Sequence, residues 1–284
     1  MVENAPEKRR AFHGSFACLS ATTGILLGSA TGNLLFSIFP SDQILDWAWR
    51  IPFLLSLPMG IAIAFLRRVL PSDPPREVFE NQPAPFVQVI RKHPALLLRG
   101  TLLGWGCTAA FYISAVFLSS FLASGRLLDQ KTALQAQTTA IAVMIAFTPL
   151  AGLLADRFGR RKMVLYSSLA CLFSAFPFFV ALERGNPVVD FLAIGVFAFF
   201  IGTGFAPYQV WLAEQFPASL RASGLGIAYN AAAGIFGGTT PLIATALVQF
   251  TGSEIAPSAL IVVSALTSFT AALFLKETNG RPLE

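Results

Sequence analysis

The stretch Gly152-Leu-Leu-Ala-Asp156-Arg157-Phe158-Gly159-Arg160-Arg161-Lys162 lies between two long apolar segments of the chain. Its glycines permit a tight turn. Asp156 can accept hydrogen bonds at a helix terminus, while Arg160 and Arg161 present planar forks that can pair with a carboxylate from a neighbouring helix. The stretch therefore predicts a short charged turn that joins two helices and is held by ion pairs.

The composition around this turn is that of an integral membrane protein. The 284 residues are 55% hydrophobic and 12% charged and include 27 Phe, whereas a soluble domain carries about 25% charged residues. Charge-free runs of roughly the length that a bilayer demands predict an all-α membrane protein with eight transmembrane helices. The runs are residues 14–41, 51–66, 100–125, 132–155, 163–182, 191–213, 222–253 and 255–275.

The distribution of Lys and Arg over the loops predicts the orientation. When alternate loops are assigned to the same side, all Lys and Arg fall together except Arg50, Arg126, Lys131 and Arg184. The positive-inside rule then places both termini in the cytoplasm and requires an even number of spans. Because the topology explains the net charge of +5, no nucleic-acid partner is expected.

One pattern occurs twice, as Glu3-x-x-Pro6-x-x-x-Arg10 and as Glu214-x-x-Pro217-x-x-x-Arg221. Each copy precedes a long apolar stretch, which suggests that one helical bundle was duplicated. The copies are 214 − 3 = 211 residues apart, and subtracting 211 from Arg99 gives a position before residue 1. We therefore expect the chain to lack roughly the first third of its fold, and an amino-terminal fragment is a candidate partner.

The longest polar interruption is rich in Pro and charged residues and reads as a linker between two bundles. The expected division is a remnant of an amino-terminal half with two spans, a cytoplasmic linker, a carboxy-terminal six-helix half and a cytoplasmic tail. These parts cover residues 1–70, 71–98, 99–276 and 277–284.

Glycines repeat at four-residue spacing in the first apolar run, as Gly24, Gly28 and Gly32. A glycine face of this kind permits close approach of another helix. Ordinary helix packing is the simplest interpretation of it.

Three further stretches, with the turn described first, carry a resemblance to a known family. They are Asp46-Trp-Ala-Trp-Arg50-Ile-Pro-Phe53, Ala213-Glu-Gln-Phe-Pro217-Ala-Ser-Leu-Arg221 and Tyr229-Asn-Ala-Ala-Ala-Gly-Ile-Phe-Gly-Gly-Thr-Thr-Pro241. Together they resemble the metabolite:proton symporters of the major facilitator superfamily, over helices 5 to 12 of twelve. The resemblance implies proton-coupled symport of a small polar metabolite, such as proline, betaine or an organic acid, by alternating access in a bacterial inner membrane.

The resemblance implies no cofactor other than the coupling ion H⁺. The sequence itself offers no cluster of His, Cys, Asp or Glu that suits a metal, and neither His13 nor His93 has a nearby acid in a catalytic spacing. No Asp or Glu lies inside the eight charge-free runs, so coupling carboxylates are expected in helices that the chain lacks. Two other functions stay open. The chain could be a non-transporting remnant or half-transporter fragment, or, less consistently with its residues, a membrane-bound enzyme.

The resemblance also implies a cytoplasmic gate made by the charged turn and the two copies of the repeat. Its expected residues are Asp156, Gly159, Arg160, Arg161, Glu214, Arg221, Glu3 and Arg10. We expect Arg160 to pair with Glu214, and Arg221 with Asp156, when the cytoplasmic side is closed. The alternative is that these residues are only positive-inside anchors with a tolerated acid.

Polar and aromatic residues inside the spans are candidates for a substrate site near the bilayer midplane. The candidates are Tyr112, Gln209, Trp105, Tyr208 and Asn230. For each of them, helix packing or interfacial anchoring is the alternative.

Overall fold

The computed structural model describes residues 3, 5–69, 83–124 and 129–283, and over these residues the fold is helical. The α-helices are α1 (Arg10–Ile38), α2 (Ser41–Asp46), α3 (Ile51–Val69), α4 (Pro85–Lys92), α5 (Pro94–Tyr112), α6 (Leu118–Ser124), α7 (Gln130–Phe158), α8 (Arg160–Glu183), α9 (Pro187–Glu214), α10 (Arg221–Asn230), α11 (Gly238–Thr251) and α12 (Pro257–Leu273). Short 3-10 turns, Glu7–Arg9 and Ala48–Arg50, precede α1 and α3. Two π-helical turns, Ile113–Phe117 and Ala231–Gly237, make α5 continuous with α6 and α10 continuous with α11.

The eight predicted spans are confirmed. Seven helical stretches of the described residues are long and apolar enough to cross a membrane, and α12, with 17 residues, is an eighth apolar helix. Four of the helices, α3, α7, α8 and α9, continue past their charge-free runs, because a run stops at its first charge whereas a helix does not. For that reason Asp156, Asp190 and Glu214 lie inside helices.

The core lies among α5, α7, α8, α9 and α12, with the side chains of Trp211, Tyr208 and Phe197 buried in it. Small residues let these helices approach closely. A Cβ added at Gly106 would stand 2.8 Å from the carbonyl oxygen of Ser264 on α12. The helix α1 belongs to the predicted amino-terminal remnant, yet it packs along α7 and also contacts α9.

The helix α3 differs from the others because none of its residues is buried. Among the described residues its main packing contact is with the adjoining turn Ala48–Arg50. The glycine face of α1 is also open: nothing in the described part of the chain lies within 4 Å of a Cβ added at Gly24, Gly28 or Gly32. The glycine face of α1 and the helix α3 are thus two apolar surfaces without a helical neighbour among the described residues.

Part of the predicted linker is helical. Residues 71–82 lie outside the described residues, but α4 forms within 83–98 and buries Val89 where it contacts α5 and α10. The next span already begins at Pro94, a residue that suits the first turn of a helix because it has no N–H to leave unpaired. The division of the chain into two bundles stays a prediction.

The bundle has a charged end and a far end. The charged end contains the start of α1, the turn between α7 and α8, the end of α9 and the residues that follow α12. The far end contains the end of α1 and the starts of α7 and α9.

Candidate functional site

The turn between α7 and α8 is built around a glycine with left-handed backbone geometry. Gly159 has a φ of 103°, which side chains of L-residues rarely adopt, and it lets α8 begin at Arg160 immediately after α7 ends. The Glu277 carboxylate accepts hydrogen bonds from the backbone N–H groups of Arg160, at 3.2 Å, and Arg161, at 3.0 Å. A carboxylate thus caps the N-terminus of α8, where backbone donors and the helix dipole favour negative charge.

Arg160 is the centre of the charged end, and its side chain is completely buried. The guanidinium lies 3.0 Å from Asp156 Oδ1 on α7 and 3.2 Å from Glu214 Oε2 at the end of α9. It also donates to the Asn279 side chain, while Glu214 accepts from the Thr278 hydroxyl. One buried cation therefore joins two transmembrane helices to the segment that follows α12.

Asp156 also fixes the start of α1. Its two carboxylate oxygens accept hydrogen bonds from the backbone N–H groups of Ala11, at 3.0 Å, and Phe12, at 2.8 Å. One helical turn earlier, a Cβ added at Gly152 would stand 2.7 Å from the carbonyl oxygen of Ala11. A larger residue at 152 would hold α1 away, so Gly152 and Asp156 together position α1 against α7.

The two copies of the repeat approach each other at this end. Arg221 pairs with Glu3 at 2.8 Å and donates from Nε to the Ala213 carbonyl oxygen at 3.2 Å. Arg10 is buried, donates to the Arg281 carbonyl oxygen at 2.7 Å and lies 3.8 Å from the Glu7 carboxylate. The pair of Arg221 with Glu3 thus joins the two copies of the repeat.

Of the two ion pairs expected in the closed state, the structure shows the first and a different partner in place of the second. Arg160 contacts Glu214 as predicted. Arg221 pairs with Glu3 rather than with Asp156, because the oxygens of Asp156 are already engaged by Arg160 and by the backbone of α1. The Arg161 guanidinium donates to the Leu273 carbonyl oxygen at the end of α12. The gating role of all these residues stays a prediction.

Sequence reasoning missed three residues of this site, Glu277, Thr278 and Asn279, which were assigned to a tail. The sequence does contain a signal for Glu277: like Asp156 and Glu214, it is an acid at the end of the molecule where Lys and Arg collect.

The candidate substrate residues separate into two groups. Trp105 packs against Phe236, with ring centroids 4.8 Å apart, and a Cβ added at Gly237 would stand 2.8 Å from Tyr112 Cε2. Tyr208 is fully buried and stacks on Tyr229. These three aromatic residues therefore meet the same span, α10 with its π-helical turn.

The two amide candidates are Gln209 and Asn230. Among the described residues, the structure shows no side-chain contact between either of them and these three aromatic residues. Asn230 is exposed and donates to the Gly226 carbonyl oxygen of its own helix. Gln209 is half-buried beside Tyr208 on α9.

The family profile that matches the chain is that of the Major Facilitator Superfamily, over residues 1–227 and 128–283. The chain belongs to the major facilitator superfamily. It is similar to the ectoine/proline transporter ProP of Corynebacterium glutamicum (29% identical, covering all of this chain and 60% of the relative) and to the inner membrane metabolite transport protein YhjE of Escherichia coli (31% identical, 99% and 66%). A third relative is the proline/betaine transporter of Escherichia coli (27% identical, 100% and 59%).

The chain thus spans about three fifths to two thirds of the length of these superfamily relatives. Solved structures agree on the fold. A proton:xylose symporter, XylE, superimposes with a TM-score of 0.75 at 16% identity and covers 99% of this chain, which in turn covers 67% of XylE. The chain is therefore an all-α membrane protein with the fold of part of a major facilitator bundle, and its relatives are transporters rather than enzymes.

Gly159 offers a first test of the charged end of this superfamily member. We expect Gly159→Ala to lower the free energy of unfolding by about 1 to 3 kcal/mol, because an L-residue is strained at positive φ and its Cβ would press on Glu277 Oε2, 2.6 Å away. Chemical unfolding in detergent, followed by tryptophan fluorescence, measures the loss. Gly280→Ala is the matched control, since Gly280 also has a positive φ but nothing within 4 Å of its Cβ position. Equal losses in the two variants would show that the contact with Glu277 is unimportant.

Proposed function

We propose that the chain is a secondary active transporter, or the larger part of one, that works by alternating access, and that the charged end is its cytoplasmic gate. The observation that carries this proposal is the buried Arg160, held between Asp156 on α7 and Glu214 on α9, with Asp156 also bound to the start of α1. Separation of α1 from α7 would open this end, and it would break the hydrogen bonds to Asp156.

The links between the two copies of the repeat suit a gate that opens and closes. The Glu3 side chain is 54% exposed, so its pair with Arg221 contributes only about 0 to 1 kcal/mol. About 1.4 kcal/mol already shifts a two-state population tenfold, and a transporter must populate both states. By contrast, the ion pairs of Arg160 are buried and join α7, α8 and α9. They support the proposal that these helices belong to one rigid half of the transporter, which moves as a single body.

The proposed cargo is a small polar metabolite, with proline, betaine or an organic acid as the first candidates and H⁺ as the coupling ion. The names of the relatives support the first two. Tyr112, Trp105 and Tyr208 would line the site, with Gln209 and Asn230 as less central candidates. Asp156, Asp190 and Glu214 are buried acids within the described helices and are candidates for proton coupling. We place the protein in a bacterial inner membrane with both termini in the cytoplasm.

The same proposal includes a helical partner for the open surfaces of α1 and α3. A segment equivalent to the amino-terminal helices of the relatives would cover the glycine face of α1 and the unburied α3. The second candidate function is a half-transporter or non-transporting remnant, and the exposure of α3 together with the partial coverage of the relatives favours it.

Uptake of labelled proline, betaine, citrate and 2-oxoglutarate into transport-deficient cells tests both functions. The chain is expressed alone and together with the amino-terminal four helices of the Escherichia coli proline/betaine transporter, with and without a protonophore. We expect protonophore-sensitive uptake of at least one solute in the co-expressing cells, abolished by Asp156→Asn and retained in Arg157→Gln, whose side chain is exposed. Absence of uptake in both settings, with membrane insertion verified, would leave only the remnant.

A further inference from the structure

An open groove of about 350 Å³ lies on the surface of the bundle between α5 and α12. Leu102 on α5 and Leu266 on α12 contribute to its apolar wall, while Arg99 and Phe274 lie where it reaches the charged end. We call this feature the α5–α12 groove. Among the described residues that line it there is neither a residue of the proposed gate nor a candidate substrate residue, so the groove is separate from both sites.

The groove runs along α12 in the direction in which a lipid chain lies. Leu266, Thr270 and Phe274 follow one another at four-residue spacing, which places them on one face of the helix over about 12 Å at 1.5 Å per residue. All three are exposed. Phe274 follows the last residue of α12, at the charged end, and Leu266 lies two turns deeper. The groove therefore extends from the charged surface of the membrane into its hydrocarbon interior.

The walls of the groove suit a hydrocarbon chain rather than a polar solute. Thr267 and Thr270 donate their single hydroxyl protons to carbonyl oxygens of their own helix, those of Val263 and Leu266, at 2.8 Å each. The other described residues that line the groove are apolar, with the exception of Arg99. Apart from that guanidinium, the side chains of the groove thus have no hydrogen-bond donor left to offer.

Arg99 places a cation at the charged end of the groove. Its Nη1 lies 3.5 Å from the Phe274 carbonyl oxygen, and its guanidinium carbon lies 5.9 Å from the centre of the Phe274 ring. Among the ion pairs of the described residues, none involves Arg99. A guanidinium that is oriented by one carbonyl and one ring keeps donors with which it can bind a phosphate bidentately.

Two further cations lie at the same end of α12. The Arg161 guanidinium donates to the Leu273 carbonyl oxygen, which is adjacent in the chain to the carbonyl that Arg99 approaches. Lys276 is exposed three residues after Leu273. The acid of this segment, Glu277, accepts hydrogen bonds from the backbone at the start of α8. Cations thus outnumber acids beside the groove, which favours an anionic headgroup there.

A second groove in the described part of the chain provides an internal comparison. It lies between α8 and α9 towards the far end and measures about 270 Å³. Its described lining is apolar except for Ser174, whose hydroxyl donates to the Ala170 carbonyl oxygen, and it includes no charged residue. A hydrocarbon chain suits both grooves, whereas the α5–α12 groove combines such a surface with a cation at the level of the headgroups.

We propose that the α5–α12 groove binds one anionic phospholipid, with an acyl chain along α12 and the headgroup phosphate on Arg99. The lipid comes from the leaflet that surrounds the charged end. An anionic lipid is favoured over a zwitterionic one, because a zwitterionic headgroup carries its own cation, which competes with Arg99 for the phosphate. The site requires only that the bundle lies in a bilayer, so it does not rest on the proposed function.

Native mass spectrometry of the delipidated full chain in detergent, titrated with phosphatidylglycerol, measures this binding. We expect the first phosphatidylglycerol to bind with a Kd about tenfold lower than that of phosphatidylcholine with the same acyl chains. Arg99→Gln should raise the Kd for phosphatidylglycerol about tenfold, as the loss of a hydrogen bond between charged groups gives. Arg157→Gln is the matched control, because it removes the same charge from the same end but Arg157 stacks on Phe158, away from the groove lining.

Thr270→Phe tests the acyl-chain part of the site. The larger side chain would fill the groove from an exposed position, so we expect weaker binding of phosphatidylglycerol without a loss of folding. Thr245→Phe is its control, since Thr245 is also exposed and also donates to a carbonyl oxygen of its own helix, but does not line the groove. Glycerol 3-phosphate, which has the phosphate without the acyl chains, should not displace the lipid.

Four results would overturn the proposal. Equal values of Kd for phosphatidylglycerol in the Arg99→Gln and Arg157→Gln proteins would show that Arg99 serves only the end of α12. Unchanged binding in the Thr270→Phe protein would place the acyl chain elsewhere. Equal binding of phosphatidylglycerol and phosphatidylcholine would mean an ordinary lipid contact without headgroup selection. Displacement by glycerol 3-phosphate would mean an anion site that does not need the groove.

Discussion

Arg160→Met is expected to lower the free energy of unfolding by about 3 to 5 kcal/mol, the cost of breaking a buried ion pair by removing one partner. Methionine keeps most of the length of the side chain but leaves the Asp156 and Glu214 carboxylates, 7% and 1% exposed, without their shared cation. Chemical unfolding in detergent gives the loss directly. The fraction of monodisperse protein after solubilisation gives an independent measure.

Arg157→Met is the control for Arg160→Met, because it removes the same charge from the same turn. Arg157 is exposed and stacks on the neighbouring Phe158 ring, so we expect a change within about 0.5 kcal/mol. The loss of unfolding free energy in Arg160→Lys should fall between the losses in Arg160→Met and Arg157→Met, since lysine keeps the charge but not the planar fork that spans two carboxylates. If Arg160→Met and Arg157→Met unfold alike, the buried network does not stabilise the bundle.

Asp156→Ala is expected to release the start of α1. The change removes two hydrogen bonds to the backbone of α1 and one ion pair of Arg160, a loss of about 3 kcal/mol or more. Cys18 reports the result, because it lies two turns along α1 and is 1% exposed. We expect its labelling by maleimide, located by peptide mass spectrometry, to rise at least tenfold.

Asp42→Ala provides the comparison for Asp156→Ala. Asp42 is an exposed acid in the first turn of the short helix α2. Its removal changes the net charge equally and should leave Cys18 protected. Continued protection of Cys18 in the Asp156→Ala protein would mean that α1 is held by apolar packing on α7 and α9 alone.

The fold could be predicted from the sequence because membrane spans are decided by local composition. Runs without charge, such as 163–182 and 191–213, need only length and apolarity to be recognised, and they correspond to α8 and α9. The ends of the helices were harder to predict from the sequence. Asp190 lies in the first turn of α9, where the helix dipole favours a carboxylate. The charge-free run excluded Asp190 and was therefore shorter than the helix.

The site was only partly predictable, because its contacts join residues far apart in the chain. The turn Asp156 to Arg160 was recognisable from local chemistry, and the pair of Arg160 with Glu214 was expected from the resemblance to the family. The partners of Asp156 are backbone N–H groups of α1, and backbone donors leave no mark in a sequence. Arg221 was therefore paired with an acid that was already engaged, although Glu3 was available in the other copy of the repeat.

The cap that Glu277 provides for α8 has a consequence for the order of synthesis. Arg160 and Glu277 are separated by 117 residues, which at about 5 to 20 residues per second takes the ribosome about 6 to 23 s to add. During that interval the start of α8 is in place but lacks its carboxylate, and Arg160 lacks Asn279. The charged end is thus completed only after α12 has been synthesised, so a stop before Glu277 would yield every described span but leave α8 without its cap and Arg160 without Asn279.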